Sequence, residues 1–516
     1  VQGGSVWHSP PAEHPDATDR RLSRWVGLAC LAYYLLVLGG HHYSIDGILS
    51  FQAAKAFVFH GSLTPDPPVH WMGSPQRAYW GLGMSLTYVP WLLLWAPLLA
   101  GRPELTMVPY DPSHPTNPAL YANLPYLLCS LSNPLATAVT AMLVLRVSRL
   151  VGLSRGWAVA AALAYGLASP AAAYARYDFA QPVATLAVMT ALWGLLRWDG
   201  GLAGLAVPAL GVGYGVLCRL EFLALAPWAA GWVLLRQGRR HPVRAGLGAL
   251  GVALPAALAF LLGLWVHRFK QGAPTALPPW SQMAARLLPD APADVLAAVA
   301  GHLVSPGRGI LLFFPLAWLA IPGLRRLAAV RPDAGWLFGS LLALLLTVYC
   351  AFRVWWAGVS WGPRLLVPLV PLLAVAAAVW AQHAAAGGRR ARPAFVGLAL
   401  AGVLVSWNGI LVDVNQYSGW VVQALGVWPD AGPAQFRAVA SPLVSGWPFR
   451  THLPVDLFWV RLWEASGVPE LAQLPAGGRA WILAHGASAA VLVPALLLGG
   501  VAWSARRILG VIRASR

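Results

Sequence analysis

The chain has 516 residues, 58% of them hydrophobic and only 10% charged, with a mean hydropathy of +0.61. A soluble protein carries about 25% charged residues, so the composition excludes a soluble globular enzyme and predicts an all-α, polytopic membrane protein. The formal net charge is +18, but the arginines fall in short clusters between apolar runs, which reads as orientation in a bilayer and excludes nucleic acid as the partner.

From the N-terminus, Arg20, Arg21 and Arg24 precede a first apolar run, Trp25–Gly40, in the manner of a signal anchor. Runs able to cross a hydrocarbon core of roughly 30 Å follow at Leu120–Leu145, Gly156–Tyr174, Phe179–Leu196, Leu202–Cys218, Phe222–Leu235 and Leu247–His267. After a polar gap come Gly309–Leu324, Gly335–Phe352, Pro363–His383, Ala394–Val412 and Trp481–Ala502. Tyr79–Gly101 is also long enough, and charge decides how to treat it. If it does not cross, one set of loops collects Arg146, Arg149 and Arg155; Arg197; Arg236, Arg239, Arg240 and Arg244; Arg325, Arg326 and Arg331; Arg389, Arg390 and Arg392; and Arg506, Arg507, Arg513 and Arg516. With the three N-terminal arginines these loops hold 21 of the 36 basic residues and 5 of the 18 acids. The positive-inside rule then predicts about twelve spans with both termini cytoplasmic, and leaves Tyr79–Gly101 as an interfacial or re-entrant segment broken by Pro90 and Pro97. Cys30, Cys129, Cys218 and Cys350 lie in or beside apolar runs at spacings that suit neither zinc nor a disulfide framework, so they read as buried thiols.

Three segments face outward on this scheme: His41–Ala119, Arg268–Arg308 and Asp413–Ala480, the last a small cap. They hold nearly all the informative polar residues. Asp46, in "SIDGILSFQAAKAFVFHGSL", begins a helix expected to lie along the membrane with one apolar side, and Lys55 falls elsewhere on it. Asp46 fits a helix N-cap as well as a functional carboxylate. "YARYDFAQP" supplies Arg176, Tyr177, Asp178 and Gln181 in a short outer loop, and "CRLEF" supplies Arg219 and Glu221, which at a spacing of two do not face each other on a helix. "HLVSPGRGILLFFP" and "FRVWWAGVSWGPRLLVPLVP" set Arg308 and Arg364 in rigid Gly/Pro contexts at outer helix starts, with Arg353 a third, weaker candidate. Guanidinium groups and free helix-start N–H groups both suit a phosphate. Trp355, Trp356 and Trp361 offer faces for a sugar or act as interfacial belt residues.

An acid soon after the first span, a second between spans three and four and a large outer loop after span seven resemble the GT-C superfamily of multispanning glycosyltransferases. In style the chain is similar to the dolichyl-phosphate-mannose protein mannosyltransferases and bacterial aminoarabinose transferases, through "SIDGILSFQAAKAFVFHGSL", "LVSPGRGILLFFPL" and "WWAGVSWGPRLLVPLVPLL". The resemblance covers most of the chain to about Asp413. It implies a GT-C-like domain over 1–412 with outer loops at 41–119 and 268–308, a cap at 413–480, and a last span with a basic tail over 481–516. It implies transfer of a sugar from a polyprenyl-phosphate donor to a hydroxyl of a glycan, lipid or protein, with inversion, on the extracytoplasmic face of a bacterial inner membrane. The resemblance makes Asp46 the catalytic base or acceptor-positioning carboxylate and Asp178 the second catalytic-site carboxylate, a metal ligand or support residue. Arg308, Arg364, Arg219, Glu221, Tyr177, Trp356, Trp361 and Lys55 become candidate substrate-binding residues. A divalent cation is allowed but not required, because Gln181 stands where many relatives have an acid. The competing functions are a transporter or flippase of a lipid-linked or anionic solute, which calls for ionisable groups at mid-membrane, and a non-catalytic membrane scaffold.

Overall fold

The computed structural model describes residues 16–62, 69–71, 74–76, 81–99, 124–270, 288–388, 390–426, 432–449, 455–466 and 476–514. Over its described residues each apolar run singled out as a span is mainly helical (residues 120–123 lie outside them), and apart from one two-stranded antiparallel ribbon, Val69–Trp71 with Ser74–Gln76, the described residues form helices and turns. Six helices among them are long and apolar enough to cross a membrane: Tyr126–Leu150, Pro242–Val266, Pro332–Cys350, Arg364–Gly387, Ala391–Leu411 and Ala484–Ala514. Other expected spans are shorter or broken, and the breaks follow local chemistry. Arg155–Leu167 stops before Ser169, whose hydroxyl accepts from the Ala171 N–H, and Pro170 then opens the short helix Pro170–Tyr174. Ile310–Phe313 and Ala317–Val330 are separated at Pro315, which cannot donate into the helical ladder.

Small residues let the helices approach closely, as in membrane bundles generally. A Cβ at Gly211 would lie 2.6 Å from both the Ala187 carbonyl oxygen and the Ala191 nitrogen, so Gln181–Arg197 and Ala206–Cys218 meet backbone to backbone. One end of the bundle gathers the basic turns. Asp19, buried, accepts from Arg149 Nε and Arg155 Nε at 3.1 Å each, Arg331 Nη1 donates to the Leu150 carbonyl, and Arg507 lies over the Trp25 ring. Arg149, Arg155, Arg331 and Arg507, from three of the groups that the charge rule collects, the basic tail among them, therefore gather at one end.

Two expectations change here. Gly83–Leu99 runs as one helix through Pro90 and Pro97; neither proline breaks it, and the helix packs on the end of Ala206–Cys218 and on Ile45–His60. Helix Ile45–His60 does not have a single apolar side. Its residues from Gly47 to Phe51 and from Ala53 to Ala56 are all buried, so neighbouring elements enclose it on most faces. In the C-terminal segment, helices Val414–Leu425, Pro442–Phe449 and Phe458–Ser466 cover the site end. The Asp456 N–H donates to the Leu411 carbonyl, and the Phe458 N–H and Trp459 Nε1 donate to the Leu38 and Leu35 carbonyls, which straps this segment onto helix Ala17–Leu36.

Candidate active site

The site begins at the start of helix Ile45–His60. Ser44 is its N-cap and accepts from the Gly47 N–H at 2.9 Å, so Asp46 is not the cap but the second residue of the first turn. The same Ser44 hydroxyl donates to Asp178 Oδ1 at 2.8 Å. Asp178 Oδ2 accepts from the Tyr43 N–H at 3.1 Å and from His42 Nδ1 at 3.0 Å. Gly47 makes this possible, because a Cβ there would sit 2.0 Å from Asp178 Oδ2. Asp178 is thus buried under a helix N-terminus, where orphan N–H groups and the dipole favour an anion, and both its oxygens have donors. Burial lowers the His42 pKa despite the Asp178 hydrogen bond; a proton on Nδ1 is the one that this hydrogen bond to a carboxylate uses.

Asp46 is held differently. Its side chain retains 17% of its exposure, and Oδ2 pairs with Arg364 Nη2. Arg364 opens the 3-10 turn Arg364–Leu369; its Nη1 donates to the Ala357 carbonyl at 3.2 Å and its guanidinium carbon lies 3.8 Å from the Phe179 ring centroid. With its amide oxygen turned toward the two arginines, Gln181 accepts from Arg364 Nε and from Arg219 Nη1 at 3.2 Å each. Arg219 also pairs with Glu221. The spacing of two does not separate them, because Arg219 is extended (φ −155°, ψ 130°) and Glu221 lies in the 3-10 turn that follows it. Asp46, Ser50, Gly81, Met84, Asp178, Ala180, Cys218, Arg219 and Arg364 together line a small, partly enclosed cleft with room for about one water, about 10 Å³.

Several sequence candidates lie outside this cleft. Arg308, expected at the phosphate, is buried. It donates through Nη1 to the Ser360 and Gly362 carbonyls and the Ser360 hydroxyl, and through Nη2 to the Gly358 carbonyl. It grips the loop that delivers Arg364 and borders a separate cavity with Tyr417, Ser418 and Gln435. The Tyr177 hydroxyl donates to the Gly409 carbonyl at 2.7 Å, and its ring packs in a buried cluster with Tyr43, Tyr174 and Phe179. Trp361 is buried against Phe313 and presents no open face. Trp356 packs edge-on against buried Trp355. Lys55 is nine residues beyond Asp46, half a turn out of phase on the helix; it is buried, and desolvation lowers its pKa. Arg353 pairs with Asp290 on the surface.

Sequence reasoning missed a second charged centre. His41 Nε2 meets Asp456 Oδ1 at 2.9 Å and lies 4.0 Å from Asp413 Oδ2. Asp456 also pairs with Arg176 and Arg461 and accepts from the Tyr43 hydroxyl at 2.8 Å. Burial works against its charge, but Arg461, Arg176 and His41 outweigh it and hold its carboxyl well below the usual range; burial and the neighbouring Asp456 raise Asp413. One ligand atom each from His41, Asp413 and Asp456 falls within 4.8 Å of the others. Two guanidinium groups already neutralise this set, so it does not fit a divalent cation. No local pattern announces the cluster: Asp456 is 415 residues from His41.

No family model matches the chain, and neither does any curated protein. Among solved structures, the chain is similar to ArnT from Cupriavidus metallidurans bound to undecaprenyl phosphate, at 16% identity and TM-score 0.44 over 94% of this chain and 77% of that one. The apo state of the same protein gives 16% identity and TM-score 0.44 over 95% and 75%. The archaeal oligosaccharyltransferase AglB from Archaeoglobus fulgidus, in complex with an inhibitory peptide and a dolichol-phosphate, gives 10% identity and TM-score 0.46 over 82% and 60%.

Proposed function

We propose that the chain is a GT-C-type membrane glycosyltransferase that moves a sugar from a polyprenyl-phosphate donor to a hydroxyl acceptor at the extracytoplasmic surface. The observation that carries this reading is the cleft itself. It combines a partly exposed carboxylate, Asp46, with two guanidinium groups, Arg364 and Arg219, at the end of an apolar helical bundle. A polyprenyl donor keeps its tail in the bilayer and its phosphate at headgroup level, which suits a charged cleft at the end of an apolar bundle.

In the reaction, the acceptor oxygen attacks the anomeric carbon as Asp46 takes its proton. The bond between that carbon and the phosphate oxygen breaks, and the polyprenyl phosphate leaves with the bonding pair. Arg364, backed by Arg219, offsets the charge that develops on the phosphate. Asp178 is a positioning residue: through His42, Tyr43 and Ser44 it fixes the turn that aims Asp46. Arg308 positions Arg364 by holding the carbonyls of the loop before it. Tyr177, Trp361 and Lys55 support the walls without touching substrate.

The test is Asp46→Asn in cells that make the glycan product. The transferase reading expects the product to vanish while the protein reaches the membrane in normal amounts. Unchanged product at normal protein level contradicts it and favours a scaffold.

A further inference from the structure

Among the described residues, the ion pair with both partners lining the cleft joins the proposed base to the proposed phosphate ligand. While Arg364 Nη2 holds Asp46 Oδ2, that carboxylate oxygen and the guanidinium are both occupied. We infer that the Asp46–Arg364 pair is a resting lock that the donor phosphate opens: the phosphate draws Arg364 away from Asp46, and only then is the carboxylate free to act. This rests on the polyprenyl-phosphate reading of the cleft and adds an order of events to it.

Three features make the exchange physically reasonable. Among the described residues, Asp46 is the one carboxylate within ion-pair distance of Arg364; the other contacts of Arg364 are to the Ala357 carbonyl, the Gln181 amide and the Phe179 ring, all neutral. A phosphate competes well for a guanidinium because it offers paired oxygens to its planar fork. Asp46 keeps a favourable place after losing its partner, since it lies in the first turn of a helix and is partly exposed.

The loop feeding Arg364 is built to move at one end. Ala357 is the one described non-glycine residue with a left-handed backbone, φ 61°, and its carbonyl is the acceptor for Arg364 Nη1. Such conformations are strained for residues with a Cβ and recur at ligand clamps and switches. Beyond it, Gly358 and Gly362 adopt left-handed angles without that strain, and Arg308 holds the Gly358, Ser360 and Gly362 carbonyls. The loop is thus anchored from 358 onward and strained at Ala357, where a shift of Arg364 toward a phosphate releases the contact.

The experiment measures binding of undecaprenyl phosphate to purified protein in lipid nanodiscs, with a melting curve for each variant. Asp46→Asn removes the internal competitor and keeps the shape and the Ser44 cap. It is expected to bind the lipid phosphate on the order of tenfold tighter than wild type while losing transfer. Gln181→Glu adds a competing carboxylate beside Arg364 and Arg219 and is expected to weaken binding. Arg364→Met abolishes binding. Asp46→Asn binding equally or less tightly, or Gln181→Glu binding as well as wild type, overturns the lock and leaves the reading of the cleft standing. Failure of wild type and every variant to bind overturns that reading, and the lock with it.

Discussion

Two clusters of opposite charges sit at the same end of this molecule, and they differ in how they are closed. Around Asp456 most side chains are almost fully buried, His41 at 3% exposed, Asp456 at 1% and Arg176 at 0%, with Arg461 the outermost at 19%, and Asp456 has four charged or hydroxyl partners. Around Asp46 the side chains keep 17% exposure at the carboxylate and 10% at Arg364, and the pairing is one to one. A saturated buried network joins segments; a partly exposed pair lining a cleft meets ligands. Chain positions agree. The Asp456 network ties the loop after the first helix to the C-terminal segment, whereas the Asp46 pair faces the cleft from two helix starts. The two clusters also communicate through three consecutive residues, since His41 belongs to the first and His42 and Tyr43 hold Asp178 beside the second.

This contrast is breakable, and the largest effect is expected at the cleft. Asp46→Asn removes the proposed base and should lower transfer by roughly 10²- to 10⁴-fold with a melting temperature close to wild type; a large loss of stability would make Asp46 a structural residue instead. Asp456→Asn should do the reverse. Leaving Arg176 and Arg461 without their carboxylate in a buried site costs about 3–5 kcal/mol, visible as a sharp fall in melting temperature and in folded yield. Normal stability in this variant would erase the distinction drawn here.

Arg308→Lys sharpens the division within the site. Lysine offers a point charge where the loop needs a fork reaching three carbonyls, so Arg364 shifts. A displacement of about 1 Å costs on the order of 10²-fold in rate, read as a fall in turnover with undecaprenyl phosphate binding retained in part. Smaller is the pH effect of His42. Its pKa in the fold is below the ordinary 6.5 because of burial, so the unfolded chain binds the proton first. Its contribution to stability is complete above pH 6.5 and is lost as the pH falls below that value. Melting temperature should drop on acidification from neutral pH, and His42→Asn should flatten that slope. Least of all, Trp356→Ala, away from the cleft, should change transfer by no more than about twofold, within the range of surface substitutions.

Much of the fold was legible because a bilayer imposes a coarse code: apolar length and arginine placement locate helices and group their ends. What hydropathy cannot encode is where a helix breaks inside its apolar run. Ser169–Pro170 and Pro315 carry that information as capping and donor chemistry, yet Pro90 and Pro97 show that proline in such a run does not always interrupt it. In the site, Asp46 and Arg364 stood out because an isolated charge in an apolar chain has few reasons to exist. Arg308 carried the same signal and serves the loop instead, a difference that lies in which carbonyls are within reach. The tryptophans misled for a related reason: Trp361 beside Gly and Pro looks like a platform in sequence, and packing buries it. Asp456 was invisible, since its partners at His41 and Arg176 are brought together only by tertiary structure.

The most direct measurement is a density map of the purified protein in nanodiscs loaded with undecaprenyl phosphate. The account predicts the phosphate in the cleft bounded by Asp46, Arg219 and Arg364, contacting the Arg364 guanidinium, with Asp46 turned away from it. A headgroup bound elsewhere, with the Asp46–Arg364 pair intact and the cleft filled by side chains, would contradict it.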